Sequence, residues 1–193
     1  MAVQEAFRII CITGAHSSVG KTTLCSILLE NLTGFGAIKF TKTSLYTSIT
    51  DDLHILNEKG KDTAIYLDSG AERAVWLQSP GGDQLSDALD ISLSKMSGLK
   101  GVLVEGNSPA DLLNPGLSIF IMGKDGQIKP SALKSFQRAQ IIVVNTDEVT
   151  GGDALPGLPL KKPAEVFRID LEKKTGEIDK FLNYIKQYVV SNE

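Results

Sequence analysis

Residues 7–24 run FRIICITGAHSSVGKTTL. Phe7 to Thr13 is, but for Arg8, a continuous apolar, β-branched run closed by Gly14, the pattern of a strand buried on both faces of a parallel sheet. From Thr22 onward Leu24, Ile27, Leu28 and Leu32 recur at helical spacing until Gly34 stops them. Strand, glycine-bearing loop and helix in that order are the context of a phosphate-binding loop. Its inward amides and the positive end of the following helix offer donors and a favourable dipole to the same anion. Gly14, Ala15, His16, Ser17, Ser18, Val19 and Gly20 form the expected cradle, continued by Lys21, Thr22 and Thr23. Lys21 reaches the β and γ phosphates of a bound triphosphate, and the Thr22 hydroxyl ligates Mg²⁺. The spacing is G-x5-G-K-T, with Ala15 where the usual first glycine falls and Gly14 one residue earlier.

Working outward, Ala37 to Phe40 reads as a second strand, and the hydroxyl-rich stretch from Thr41 to Asp52 as a functional surface loop. Lys61 to Ser69 reads as a short helix stopped at Gly70, and Ala74 to Leu77 as a strand leading into the turn Ser79-Pro80-Gly81-Gly82. Trp76 is expected under that turn. Leu85, Ala88, Leu89, Leu93 and Met96 mark a helix ended by Gly98. Gly101 to Glu105, Leu117 to Met122 and Ile141 to Asn145 are further short strands, and Ile178, Phe181, Leu182, Ile185 and Val189 share one face of a last helix. Gly151 to Pro163 reads as a long loop. Alternating strands and helices predict a doubly wound, mostly parallel α/β sheet in three layers, with 1–193 as one nucleotide-binding domain.

Composition narrows the function. Twenty Lys plus Arg against twenty-three Asp plus Glu leave a net charge of −3. There is thus no basic field for nucleic acid. The longest charge-free stretches, Ile9 to Gly20 and Leu112 to Gly123, fall short of the ~20 apolar residues of a membrane span. Two cysteines build no disulfide framework, and the first residues carry no basic n-region, so a cytoplasmic protein with buried, reduced thiols is expected.

Mg²⁺ held by a triphosphate needs hard oxygen ligands, a loop hydroxyl and one or two carboxylates at strand ends. Glu105 closes Val102 to Val104 and precedes Gly106, which lets the chain leave without shielding the carboxylate. Asp51 or Asp52 is the second metal candidate. Asn145 ends a strand whose tip lines the ligand crevice and is placed to meet a purine edge. The continuation Thr146-Asp147-Glu148 lacks the Lys and final Asp of the guanine-reading N-K-x-D pattern, so GTP and ATP stay open.

The loop shape resembles dethiobiotin synthetases and cobyrinic acid amide synthases, in the SIMIBI-type branch of P-loop NTPases that also holds MinD-like ATPases. His16 stands where that branch often carries an extra Lys. The whole chain is similar to the molybdopterin-guanine dinucleotide biosynthesis protein B (MobB) family. The matching segments are G-K-T-T-L at Gly20 to Leu24, I-K at Ile38 and Lys39, G-K-D-T at Gly60 to Thr63, S-G-A at Ser69 to Ala71 and V-L-V-E-G at Val102 to Gly106. The chain departs from the family at Lys39-Phe40-Thr41-Lys42 and at Asn107-Ser108-Pro109.

The resemblance implies GTP binding with Mg²⁺, slow hydrolysis, a homodimer, and assistance to a nucleotidyltransferase partner acting on molybdopterin. It puts Lys21 and Glu105 in the catalytic roles, Thr22 on the metal, and Lys61 and Asp62 on the family's K-D pair. The alternative is an ATP-dependent ligase or kinase like dethiobiotin synthetase, in which Lys39 or Lys42 holds a small acid.

Overall fold

The structure is a computed structural model, and it describes residues 7–148 and 164–190. Strand β1 (Arg8–Gly14) leads through α1 (Lys21–Asn31) to β2 (Phe35–Lys42), then β3 (Ser48–Thr50), α2 (Leu53–Leu56) and α3 (Asp62–Asp68). β4 (Ala74–Ser79), α4 (Gly82–Ser94), β5 (Gly101–Glu105), α5 (Asn107–Leu112) and β6 (Leu117–Gly123) follow. α6 (Leu133–Arg138), β7 (Ile141–Asn145), β8 (Glu165–Asp170), β9 (Thr175–Gly176) and α7 (Ile178–Val190) complete the chain.

Among the described residues, nine strands join one sheet in the order β3-β4-β2-β5-β1-β6-β7-β8-β9. Of these, the short outer strands β3 and β9 run antiparallel to their neighbours and the others run parallel. The expected three-layer, doubly wound α/β fold is what forms. The period of two along each strand sorts the core into its layers. Ile10 and Ile12 of β1, Leu103 of β5 and Ile119 of β6 face α1 and α7, packing with Leu24, Leu28, Phe181 and Ile185. Cys11, Val102 and Val104 face the other way, against Leu85, Leu89 and Met96. Phe120 and Ile142 meet Phe136 of α6 on that same side. The apolar runs of β1, β5 and β7 are uniform rather than alternating because both faces are covered.

The strand order positions the site. After β1 the chain crosses over β5 to reach β2, while β6 lies on the opposite side of β1. The connections that follow β1 and β5 run in opposite directions across the sheet, and a crevice opens beyond the carboxyl ends of β1, β2 and β5. No helix among the described residues is long and apolar enough to cross a membrane.

The expected loop at 41–52 is partly ordered sheet. Thr41 and Lys42 extend β2, and Ser48 to Thr50 pair with β4 as β3. Their hydroxyls hide the strand signal, since backbone pairing at an edge needs no apolar face. β8 was not anticipated, because charges at Glu165, Arg168 and Asp170 interrupt the apolar run; pairing with β7 orders it. Trp76 does not lie under the following turn: its Nε1 donates to Thr41 Oγ1 at 3.0 Å, and the Lys61 ammonium sits 4.7 Å from its ring centroid. Cys11 and Cys25 are both buried as free thiols. The loop read at Gly151 to Pro163 lies outside the described residues.

Candidate active site

The loop between β1 and α1 bends tightly over the strand tip. Gly14 is where that bend needs a missing side chain: a Cβ there would come within 2.7 Å of Val19 Cγ1 and 3.1 Å of Lys21 Cγ. The displaced glycine of the sequence is therefore the one that lets the loop fold back on itself. Ala15, at the usual glycine position, is fully buried against the α6 side of the sheet. Its amide donates to Ile121 O at 2.8 Å, and its carbonyl accepts from Lys129 N at 3.1 Å. Val19 is buried too, whereas Ser17 and Ser18 stand exposed, Ser18 with a left-handed φ of 59°. His16 is half-buried, its Nδ1 2.7 Å from Ser17 O. Helix α1 then opens on Gly20 with no side-chain cap. The amides of Lys21, Thr22 and Thr23 meet no acceptor among the described residues, which leaves the helix's positive end bare toward the crevice.

Lys21 curls back, its Nζ donating to His16 O at 3.0 Å. Burial depresses its pKa below the ordinary lysine value; Glu105 offsets part of this, and Lys39 adds to it. The loop thus holds a partly desolvated cation that gains from an incoming anion.

One row of side chains crosses the sheet on the face covered by α1 and α3. Ile12 aligns with Glu105, Glu105 with Lys39, and Lys39 with Trp76. Glu105 is only 3% exposed, and a buried carboxylate must be fully served by donors. Three serve it. Thr22 Oγ1 donates to its Oε2 at 3.1 Å, the Tyr66 hydroxyl donates to the same oxygen, and Lys39 Nζ contacts Oε1 at 2.6 Å. Lys39 also reaches Asp62 Oδ2 at 2.5 Å. Burial opposes the Lys39 charge, but Glu105 and Asp62 outweigh it and raise its pKa. Tyr66, fully buried, has its pKa pushed well up, chiefly by burial and further by the charge of Glu105. Gly106 has φ 146°, and a Cβ there would meet Phe40 and Pro109 at 3.0 to 3.1 Å, so only glycine turns the chain cleanly away from Glu105.

These residues line a cleft of about 500 Å³ between loop residues 17–23 and the tips of β2 and β5. Of the expected site residues, Ser17, Ser18, Gly20, Lys21, Thr22, Thr23 and Glu105 line it together. Asp51 and Asp52 do not. Asp51 pairs with Lys95 at 2.7 Å on the surface, and Asp52 caps α2 by accepting from His54 N at 2.9 Å. The second carboxylate in the cleft is Asp62. A hydroxyl, a buried carboxylate and a half-exposed carboxylate on one wall make the hard oxygen set that suits Mg²⁺ beside phosphate. Lys61 turns away from the cleft to Glu58, at 2.9 Å, and to Trp76.

Asn145 braces the loop. Its Nδ2 donates to Val19 O at 3.2 Å, and its Oδ1 accepts from Leu171 N at 3.1 Å. Asn107 does the same from the other side, its amide accepting from Gly14 N at 2.9 Å and donating to Gly14 O at 3.0 Å. Sequence reasoning noted Asn107 only as a family departure, and no local signal marks a clasp reaching back 93 positions. Lys124, just after β6, pairs with Asp147 at 3.2 Å and Glu148 at 3.0 Å.

No protein-family model matches the sequence, and a search of curated proteins returned no match. Solved structures do match. The chain is similar to HypB from Helicobacter pylori, solved in complex with nickel, with TM-score 0.63 and 14% identity over 97% of this chain and 89% of that one. It is also similar to LpxK from Aquifex aeolicus, solved in complex with ATP, with TM-score 0.54 and 19% identity over 84% of this chain. It spans 53% of LpxK. At these identities the likeness concerns the fold alone, the three-layer α/β architecture described above.

Proposed function

We propose that the chain binds a purine nucleoside triphosphate with Mg²⁺ at this cleft and hydrolyses it slowly, as an accessory nucleotide-binding protein. The observation that carries this reading is the Thr22 to Glu105 hydrogen bond beside Lys21, at the bare start of α1. It links the loop to a strand-end carboxylate, and phosphoryl chemistry asks for positioning and charge rather than covalent help. Lys21 and the α1 amides hold phosphate oxygens. Thr22, Glu105 and Asp62 hold Mg²⁺, which when bound supplies charge neutralisation for the phosphates. Tyr66 keeps the Glu105 carboxylate aimed at Thr22, and Asn107 and Asn145 keep the loop in register.

The MobB resemblance supports GTP over ATP, a homodimer in the cytoplasm, and delivery to a nucleotidyltransferase that modifies molybdopterin. A second reading, an ATP-dependent ligase or kinase for a small acid, draws on a hollow of about 210 Å³ that adjoins the cleft. It shares Lys39, Thr41 and Asp62 with the cleft and is walled by Trp76. Calorimetry with GTP, ATP and their diphosphates, with and without Mg²⁺, tests the first reading; absence of Mg-dependent triphosphate binding rejects it. Turnover above roughly 1 s⁻¹ with an added small acid, within the usual enzyme range, selects the second reading.

A further inference from the structure

Lys39 contacts both carboxylates of the cleft at once, at 2.6 Å from Glu105 and 2.5 Å from Asp62. Its side chain is only 17% exposed, on a backbone fixed in β2 between β4 and β5. It fills the gap between the acidic oxygens that the proposed function assigns to the metal. Lys21 and Lys39 balance Glu105 and Asp62, and Lys42 adds a further positive charge to the cleft lining. A divalent cation entering alone would bring two positive charges beside two ammoniums, with no new anion. Arriving with a triphosphate, it brings its own surplus of negative charge.

We infer that Lys39 is a resident counter-cation that excludes free divalent metal from the cleft and makes metal binding conditional on nucleotide. This rests on the nucleotide-binding reading above and assigns a positioning role to a residue outside the phosphate loop. The physical basis is like-charge repulsion at close range. At about 4 Å that repulsion, doubled for a divalent ion, weakens binding by about tenfold or more even at the dielectric of water. Without the Lys39 charge, Glu105 and Asp62 become an open pair of carboxylates facing the Thr22 hydroxyl.

The test is Mn²⁺ binding followed by electron paramagnetic resonance of the free ion, on the full chain, with and without GTP or ATP. The parent protein is expected to bind Mn²⁺ weakly alone and tightly with nucleotide. Lys39→Met is expected to bind Mn²⁺ alone about tenfold or more tighter than the parent, as removal of that repulsion requires. Lys39→Arg, which keeps the charge, is expected to exclude the ion as the parent does. Tight Mn²⁺ binding by the nucleotide-free parent overturns the proposal without need of any variant. So does equal Mn²⁺ affinity in the parent and Lys39→Met, or a gain in Lys39→Arg that matches Lys39→Met. If the parent takes up neither nucleotide nor Mn²⁺ with nucleotide, the underlying functional reading falls instead, so the two failures are distinct.

Discussion

Tyr66→Phe is the sharpest probe of how the cleft is held together. The ring is fully buried and Phe preserves its volume, so the substitution deletes one hydroxyl and creates almost no cavity. That hydroxyl donates to Glu105 Oε2, on a carboxylate that is itself 3% exposed. A hydrogen bond to a charged group is worth about 1.5–3 kcal/mol, and loss of one donor leaves buried charge under-served. Thr22 and Lys39 still serve the carboxylate, which places the expected loss near the middle, about 2 kcal/mol. With an m-value of about 2 kcal/mol/M, the urea midpoint falls by about 1 M. The melting temperature falls by about 4–8 °C for a chain of this size. The partner is identified by a double-mutant cycle. In a Glu105→Gln background the carboxamide accepts only a neutral hydrogen bond, so the cost of Tyr66→Phe drops to about 1 kcal/mol, giving a coupling of about 1 kcal/mol. An unchanged midpoint in Tyr66→Phe, or the same cost in both backgrounds, refutes the account of how Glu105 is held and aimed.

Lys21→Ala is expected to abolish Mg-nucleotide binding in calorimetry without lowering the melting temperature, because the folded state now pays to desolvate that ammonium; retained affinity rejects the loop's role. Glu105→Gln is expected to reduce turnover more than binding, seen by comparing phosphate release with nucleotide affinity. Asn107→Leu removes both side-chain bonds to Gly14. Nucleotide affinity should weaken by about tenfold at a loss of about 1–3 kcal/mol in stability, measured by urea unfolding. Stability should decline as pH rises above about 9. Burial pushes the Cys11 thiol up to about 12 and raises Cys25 and Tyr66 well above their ordinary values of 9.0 and 10.0. Lys39 is also raised above 10.5. Each group keeps its proton in the folded chain after the unfolded chain has released it, so the contribution is present below the unfolded value and lost as pH rises. Lys21, shifted the other way, offsets only part of this; a flat profile from pH 8 to 11 contradicts the assignment.

The linear order of residues was enough to place the phosphate loop, because strand, bend and helix are adjacent and each announces itself locally. The apolar run at 7–13 required a strand covered on both faces, and the period of Leu24, Ile27 and Leu28 required a helix directly after Gly20-Lys21. Glu105 was legible for the same reason, as the charged end of a short apolar run. What the linear order could not supply is which strands lie side by side. Lys39 meets Glu105 only because β2 and β5 are neighbours in the sheet, although 66 positions separate them. Asp62 of α3 stands in the cleft beside Lys39, whereas Asp51 pairs with Lys95 on the surface and Asp52 caps α2. Asn107, Asn145 and Tyr66 carry no motif of their own. Their partners are fixed by long-range packing, and hydrogen bonds of that reach leave no periodic trace in the chain that makes them.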